Sequence, residues 1–182
     1  PNPKLTVFPI AEVAQIGRSL GVPLIMDNTA APILCQPIKH GAAITMHSTT
    51  KYIGGHGTSI GGIIVDGGNF DWAAHPDRFP MLTKPDPSYH GAVWTEAVKP
   101  IGPVAYIIKA RVTLLRDIGA AVSPFNAFQF IQGLETLAVR MQRHVENTDK
   151  VVAFLSQEKK VTRIIHPSKQ TGEKKRRADH YL

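Results

Sequence analysis

Three short apolar segments decide the fold: VPLIMD at residues 22–27, AAITMHS at residues 42–48 and GGIIVDGG at residues 61–68. Each is a continuous apolar run of strand length, bounded by turn-forming residues. Apolar strands without alternation are typical of a parallel sheet that is covered on both faces. Together with the helical patterns around them, the segments predict an α/β fold with a mostly parallel sheet.

Helical patterns flank these segments. Pro9 suits a first helical turn and Gly21 a helix end, which predicts a helix from Pro9 to Leu20. Further helices are predicted within VAYIIKARVTLLRDIG at residues 104–119, from Pro124, and as a long amphipathic helix over residues 135–157. In the first of these, the predicted apolar face comprises Ile107, Ile108, Val112, Leu115 and Ile118.

Two other regions carry a different pattern. Residues 67–103 contain six prolines and several aromatic residues, which predicts a long irregular excursion. VTRIIHP at residues 161–167 predicts a strand that starts a second, smaller domain. We therefore expect residues 1–130 to form part of a large domain, and residues 131–182 to form a connecting long helix and the beginning of a truncated small domain.

Composition narrows the class of protein. The 182 residues are 43% hydrophobic and 19% charged, which is typical of a globular chain rather than a disordered one. No apolar run approaches the roughly 18 residues of a membrane span. Cys35 is the single cysteine, so an intrachain disulfide is excluded and a cytoplasmic location is expected.

The net charge of +7 raises the question of nucleic-acid binding. The excess is concentrated near the chain end around KKRR at residues 174–177, where no aromatic residue is interleaved. A solvated helix start is the favoured interpretation, and no nucleic-acid partner is expected. The eight histidines show no pair at the i, i+4 spacing of a zinc motif, so no metal site is expected either.

The residues that could carry chemistry follow two of the predicted strands. Asp27 ends the first strand, and HSTTK at residues 47–51 ends the second. Ligands of doubly wound sheets bind at such strand ends, so we expect the two segments to be spatial neighbours. Lys51 could form a Schiff base with pyridoxal phosphate, Asp27 could hold its pyridine nitrogen protonated, and Ser48 and Thr50 could bind its phosphate. A solvated lysine is the alternative on these residue types alone.

PLIMDNT and CQPIKHGAAITMHSTTKYIGGHGTSIGGIIVDGG, at residues 23–29 and 35–68, closely resemble the Cys/Met-metabolism family of pyridoxal-phosphate enzymes. The resemblance covers essentially the whole chain. It implies part of a type I pyridoxal-phosphate transferase large domain joined to the start of a small α/β domain. By position, it also implies Lys51 as the Schiff-base lysine, Asp27 as the pyridine-nitrogen carboxylate, and Ser48 and Thr50 as phosphate-binding hydroxyls. Thr29 is expected to shape the loop beside the ring.

FPMLTKPDPSYHG at residues 79–91 is similar to the members that act on O-acetylhomoserine. The resemblance therefore implies γ-replacement on O-acetylhomoserine by sulfide or methanethiol, in a homo-oligomer built as a dimer of dimers. A related cystathionine synthase or lyase, a methionine γ-lyase, and a non-catalytic fragment or basic binding module are the alternatives. The family's glycine turn, ring-stacking tyrosine and substrate arginine have no match here. We therefore expect a partial sequence that is inactive by itself.

Overall fold

The computed structural model describes residues 4–182, so residues 1–3 of the predicted large domain lie outside the described part. The main helices are α1 (Ile10–Ser19), α6 (Pro124–Leu155) and α7 (Gly172–Tyr181). Shorter helices are α2 (Pro80–Thr83), α3 (Trp94–Ala97), α4 (Ala105–Lys109) and α5 (Leu115–Ile118). The strands are β1 (Ile25–Asp27), β2 (Ile44–Ser48) and β3 (Gly62–Asp66).

The three strands form one sheet in the order β1-β2-β3. β1 and β2 are parallel, with Asp27 opposite Met46. β3 runs antiparallel to β2, with Ser48 opposite Gly62. The α/β class is confirmed and the sheet is mixed. β3 reverses direction because residues 49–61 form a helical turn and a glycine-rich loop that bring the chain back beside β2 without a crossover helix.

Burial of the strands differs from the expectation. Ala42, Ala43 and Ile44 at the start of the second segment are buried. The middle of β3 is exposed, and β1 is only partly buried. Met46 of β2 is 43% exposed. The prediction of strands covered on both faces is thus wrong for β3 within residues 4–182, because Ile63, Ile64 and Val65 are each 40% or more exposed.

The region of residues 67–103 is more ordered than its prolines predict. It contains α2 and α3 and three-residue helical turns at Pro87–Tyr89 and Lys99–Ile101. Its aromatic residues build a large part of the apolar core together with Ile44 of β2. Trp72 lies 5.3 Å from the ring of Tyr106 in a stacked arrangement, and Phe79 contacts Trp72 edge-on. Pro80, Pro87 and Pro100 each lie in the first turn of one of these short helices.

The helix predicted after residue 103 is observed. α4, a wider turn at Ala110–Leu114 and α5 form one continuous helical segment. Its buried side is set by Ala105, Lys109 and Thr113, which are spaced four residues apart. Leu115 and Ile118, assigned to the apolar face from sequence, are exposed. The face differs because Lys109 is held inside by a buried carboxylate, a pairing that periodicity does not reveal.

The C-terminal third is helical. α6 begins at an N-cap in which Ser123 Oγ accepts from the backbone N–H of Asn126 at 3.2 Å, and it runs without interruption through residue 130. The strand predicted at residues 161–167 is wrong, because this segment pairs with no strand and ends in a helical turn at Pro167–Lys169. The boundary at residue 130 remains a prediction.

The basic run at residues 174–177 lies in α7, as predicted. Lys175 pairs with Asp179, and Arg177 with Glu173, one helical turn away in each case. Tyr181 then docks the end of α7 on α1, because its hydroxyl donates to Glu12 at 3.0 Å. Over the described part of the chain, none of the helices has the length and apolar character that crossing a membrane requires.

Candidate active site

Asp27 and the HSTTK segment lie together at one end of the sheet, as predicted. Asp27 is the last residue of β1, and its backbone is in register with β2 at Met46. Thr29 links the two strand ends: its backbone N–H donates to Asp27 Oδ1 at 2.9 Å, and its hydroxyl accepts from the Ser48 N–H at 2.7 Å. These contacts place Thr29 in the loop that follows Asp27, and its expected role beside the cofactor ring stays a prediction.

The Asp27 carboxylate is held in its ionised form. Hydrogen bonds from Thr29, first from its side chain and then from its backbone, lower the pKa of Asp27 below its ordinary value, and the nearby His47 adds to the effect. The carboxylate is also exposed at the strand end. An exposed anion of low pKa is suited to accept a hydrogen bond from a cationic ring nitrogen.

Lys51 lies in the helical turn Thr49–Ile53 that directly follows β2. Its backbone departs from helical geometry, with φ −90° and ψ −123°, so the chain kinks at the lysine. The side chain is exposed, and no carboxylate of residues 4–182 pairs with it. An unpaired amine beside a strand end is free to react with a carbonyl compound.

The two predicted phosphate-binding hydroxyls differ in their surroundings. Ser48 Oγ forms no hydrogen bond with the described residues. Thr50 Oγ1 accepts from the backbone N–H of Gly61 at 3.1 Å and lies 3.4 Å from its carbonyl oxygen. Ser48 is therefore available to an anion as it stands, whereas Thr50 also closes the loop that leads into β3.

Two further polar atoms near the lysine are buried without partners. They are His47 Nδ1 and Thr49 Oγ1. Burial lowers the pKa of His47, and the charge of Asp27 partly offsets this shift. Buried polar atoms usually find hydrogen-bond partners, so orphans on both sides of Ser48 mark a strained or ligand-binding turn. The residues present fit pyridoxal phosphate: an ionised carboxylate, a free amine and an available hydroxyl lie at one strand end.

A cavity of about 400 Å³ lies between the loop after Lys51 and α6. His56, five residues after Lys51, is among the residues that line it. Ser59 is hydrogen-bonded to Gln129 of α6, which holds the glycine-rich loop against the helix. The loop turns sharply at Gly55 and Gly57, whose φ angles of 79° and 68° favour glycine.

The aromatic residues of the proline-rich segment at residues 79–91 pack against one another and against neighbouring side chains. The Tyr89 ring lies 4.9 Å from that of Trp94, and the Arg116 guanidinium lies 5.7 Å from the Tyr89 ring. His90 follows in a left-handed turn, with φ 55°. Through these ring contacts Tyr89 anchors the loop, and His90 packs beside it at 5.9 Å.

Sequence reasoning missed the part of α6 that holds the lysine turn. Gly133, Leu137, Arg140 and Met141 repeat at helical spacing, and the helix presents this stripe to the turn. Arg140 Nη1 donates to the carbonyl oxygen of Tyr52 at 2.7 Å. The signal was available in the sequence, because a glycine and an arginine share the apolar stripe of an amphipathic helix.

The sheet, the kinked lysine turn and the strand-end carboxylate together define a cofactor domain of the pyridoxal-phosphate type. Residues 1–181 match the family model described as "Cys/Met metabolism PLP-dependent enzyme". The chain belongs to this family.

Three similar proteins carry names that refer to O-acetylhomoserine. An O-acetyl-L-homoserine sulfhydrylase of Leptospira meyeri is 49% identical over 186 residues, which cover 99% of this chain and 42% of the relative. A structure of a candidate O-acetylhomoserine (thiol)-lyase from Campylobacter jejuni, which contains N'-pyridoxyl-lysine-5'-monophosphate, superposes with a TM-score of 0.84 at 35% identity, over 100% of this chain and 44% of that one.

An O-acetylhomoserine sulfhydrylase of Wolinella succinogenes gives a TM-score of 0.79 at 29% identity, over 99% of this chain and 47% of that one. The chain thus spans less than half the length of these relatives.

Proposed function

We propose that the protein is a pyridoxal-phosphate-dependent transferase that replaces the γ-substituent of O-acetyl-L-homoserine with sulfide, or with methanethiol. The carbon–oxygen bond at the γ-carbon breaks, a carbon–sulfur bond forms, and acetate leaves with homocysteine or methionine as the other product. The observation that carries the proposal is the unpaired amine of Lys51 beside an ionised Asp27, with Thr29 fixing that strand end to Ser48.

Each residue has a role that follows from its surroundings. Pyridoxal phosphate, when bound, supplies an electron sink for negative charge that develops on the substrate. Asp27, anionic and of low pKa, keeps the ring nitrogen protonated. Ser48 and Thr50 bind the phosphate through their hydroxyls. Lys51 holds the cofactor and, once freed by substrate, its amine takes the proton from the α-carbon.

The alternatives differ in acceptor and product. A cystathionine synthase would join cysteine to the homoserine ester, and a lyase would eliminate without needing a thiol. The similarity to sulfhydrylases of Leptospira meyeri and Wolinella succinogenes favours sulfide. A non-catalytic basic module is disfavoured, because the basic side chains of α7 are partly engaged in ion pairs along their own helix.

Further properties belong to the same proposal. We propose a homo-oligomer, built as a dimer of dimers, and a cytoplasmic location. Exposed apolar side chains on α6, such as Phe125 and Phe128, support burial against other protein. Cys35 is a buried free thiol whose pKa is raised by that burial, which suits a reducing compartment.

Two measurements on the full-length protein test the proposal. Borohydride reduction followed by peptide mass spectrometry is expected to place a phosphopyridoxyl group on Lys51. Incubation with O-acetylhomoserine is expected to give homocysteine with sulfide, without cystathionine when cysteine is supplied instead. A label on another lysine would refute the site. Consumption of O-acetylhomoserine at the same rate without sulfide or a thiol would refute the proposed replacement reaction.

A further inference from the structure

The lysine turn leaves two backbone carbonyls without backbone partners. After the kink at Lys51, the Gly54 N–H donates to the carbonyl of Thr49 at 2.8 Å, and the Gly55 N–H donates to that of Lys51 at 2.8 Å. Among the described residues, no backbone N–H reaches the carbonyl oxygens of Tyr52 and Ile53. These two groups need donors from elsewhere, because unpaired backbone carbonyls that lose contact with water are costly.

Arg140 of α6 supplies both donors. Its Nη1 lies 2.7 Å from the Tyr52 oxygen, and its Nη2 lies 3.2 Å from the Ile53 oxygen. Two contacts within α6 fix the guanidinium itself: Nε donates to Thr136 Oγ1 at 3.1 Å, and Nη2 donates to the Gly133 carbonyl at 2.8 Å. No carboxylate of residues 4–182 pairs with Arg140: its Nη1 and Nη2 donate to backbone carbonyls, and its Nε donates to the Thr136 hydroxyl.

Two glycines make room for this contact. A Cβ atom on Gly133 would lie 2.2 Å from the Ile53 carbonyl oxygen, so the helix touches the turn backbone to backbone. A Cβ atom on Gly55 would lie 2.8 Å from Arg140 Nη1. The close approach places a rigid, forked donor against the two residues that directly follow Lys51.

We propose that Arg140 is a positioning residue that sets the orientation of the Lys51 turn toward the strand end of Asp27. The inference rests on the proposed function. Arg140 acts by holding the carbonyls of Tyr52 and Ile53, which fixes the backbone that carries the reactive amine. A misplacement of about 1 Å at a reacting group can cost on the order of 100-fold in rate. A lysine at position 140 could donate to one of these carbonyls, but it lacks the planar fork that lets the guanidinium donate to both.

The test uses the full-length enzyme with the variants Arg140→Met and Arg140→Lys. Arg143→Met is the matched control, because Arg143 lies on the same helix, is 67% exposed and pairs with Glu146 at 3.5 Å. The measurements are the dissociation constant for pyridoxal phosphate, the pH titration of the visible absorbance of the bound cofactor, and kcat and KM separately.

Arg140→Met is expected to weaken cofactor binding by about tenfold or more, to shift the midpoint of the spectral titration, and to lower kcat more than it raises KM. Arg140→Lys should recover part of each change, and Arg143→Met should match the unmodified enzyme. If Arg140→Met does not fold, Thr136→Val removes the partner of Nε and should move the same spectral midpoint in the same direction by a smaller amount.

The inference is overturned if the folded variants at residues 136 and 140 keep the cofactor affinity and spectral midpoint of the unmodified enzyme. Lys51→Ala separates this failure from failure of the proposed function. If Lys51→Ala loses the visible absorbance while the Arg140 variants are unchanged, only the positioning role is wrong. If Lys51→Ala keeps that absorbance, the assignment of the reactive lysine is wrong, and the positioning role fails with it.

Discussion

Two lysines in this molecule have opposite surroundings. Lys109 is buried at the end of α4, where its amine pairs with Asp86 and lies 5.6 Å from the ring of Trp94. Lys51 is exposed after β2 and pairs with no carboxylate of the described residues. The two acids differ in the same way: Asp86 is buried beneath its loop, whereas Asp27 stands open at a strand end.

Asp86 has a full set of partners. Oδ1 accepts from the Ser88 N–H at 2.9 Å and from the Ser88 hydroxyl at 2.7 Å, and Oδ2 accepts from Trp94 Nε1 at 2.7 Å as well as from Lys109. Lys109 and then Ser88 hold the pKa of Asp86 far below its ordinary value. The comparison teaches that an acid and a lysine that pair with each other inside the core serve the fold, whereas an exposed acid and an exposed lysine with no charged partner are available for chemistry.

Lys51→Ala gives the largest expected effect on function. Turnover should fall on the order of 10⁴-fold or more, because no other group here can both hold the cofactor and move the α-proton. The visible absorbance of lysine-bound cofactor should vanish, while the thermal midpoint of the cofactor-free protein stays close to that of the unmodified protein. Steady-state assays, absorbance and thermal unfolding check the three points. A variant that keeps the absorbance would contradict the distinction between the lysines.

Lys109→Met tests whether the buried pair of Lys109 and Asp86 stabilises the fold. Removing the cation leaves the Asp86 carboxylate buried without its charged partner, so the thermal midpoint should fall by roughly 5–10 °C. Lys109→Met combined with Asp86→Leu should regain part of this loss, because both charges are then absent. Cofactor affinity of the folded protein should not change. An unchanged thermal midpoint in the single variant would show that the buried pair contributes nothing to stability.

Gly133→Ala probes the contact between α6 and the lysine turn. In an exposed helix interior this change stabilises by about 1 kcal/mol, because alanine is the better helix former. Here the added Cβ would lie 2.2 Å from the Ile53 carbonyl oxygen, so we expect a loss of ~1–3 kcal/mol instead. The sign of the change in unfolding free energy, measured by urea denaturation, decides the point. Ala138→Gly on the exposed side of α6 is the control and should destabilise by about 1 kcal/mol.

The position of the strand-end site was predictable because it follows from where two neighbouring apolar strands end. Asp27 and Ser48 each end an apolar run, and the ends of parallel strands meet at one edge of a sheet. Thr29 could be placed in the same loop from its position two residues after Asp27. The antiparallel direction of β3 was not predictable, because an apolar run carries no information about the direction of its neighbour.

The contacts that position the site could not be read from local patterns. Arg140 contacts Tyr52 across 88 residues of sequence, and Lys109 reaches Asp86 across 23. Hydrophobic periodicity places Lys109 on a helix, but it does not show that the buried carboxylate of Asp86 lies next to it. The same limit explains the error at residues 161–167, where a β-branched run finds no neighbouring strand among the described residues and remains extended.

The smallest expected effect concerns pH. Burial lowers the pKa of His47, with the charge of Asp27 opposing it, so the folded protein favours the neutral ring. The unfolded chain binds the proton more readily than the folded protein. The contribution of neutral His47 to the free energy of unfolding is therefore present above the ordinary pKa of 6.5 and is lost as pH falls below that value toward the folded pKa.

Urea unfolding of the cofactor-free protein between pH 7.5 and 5.5 should therefore show declining stability, and His47→Gln should flatten the decline. Asp27→Asn should steepen it, because the charge that supports protonated His47 is gone. A pH dependence unaffected by either substitution would show that His47 titrates alike in the folded and unfolded chain.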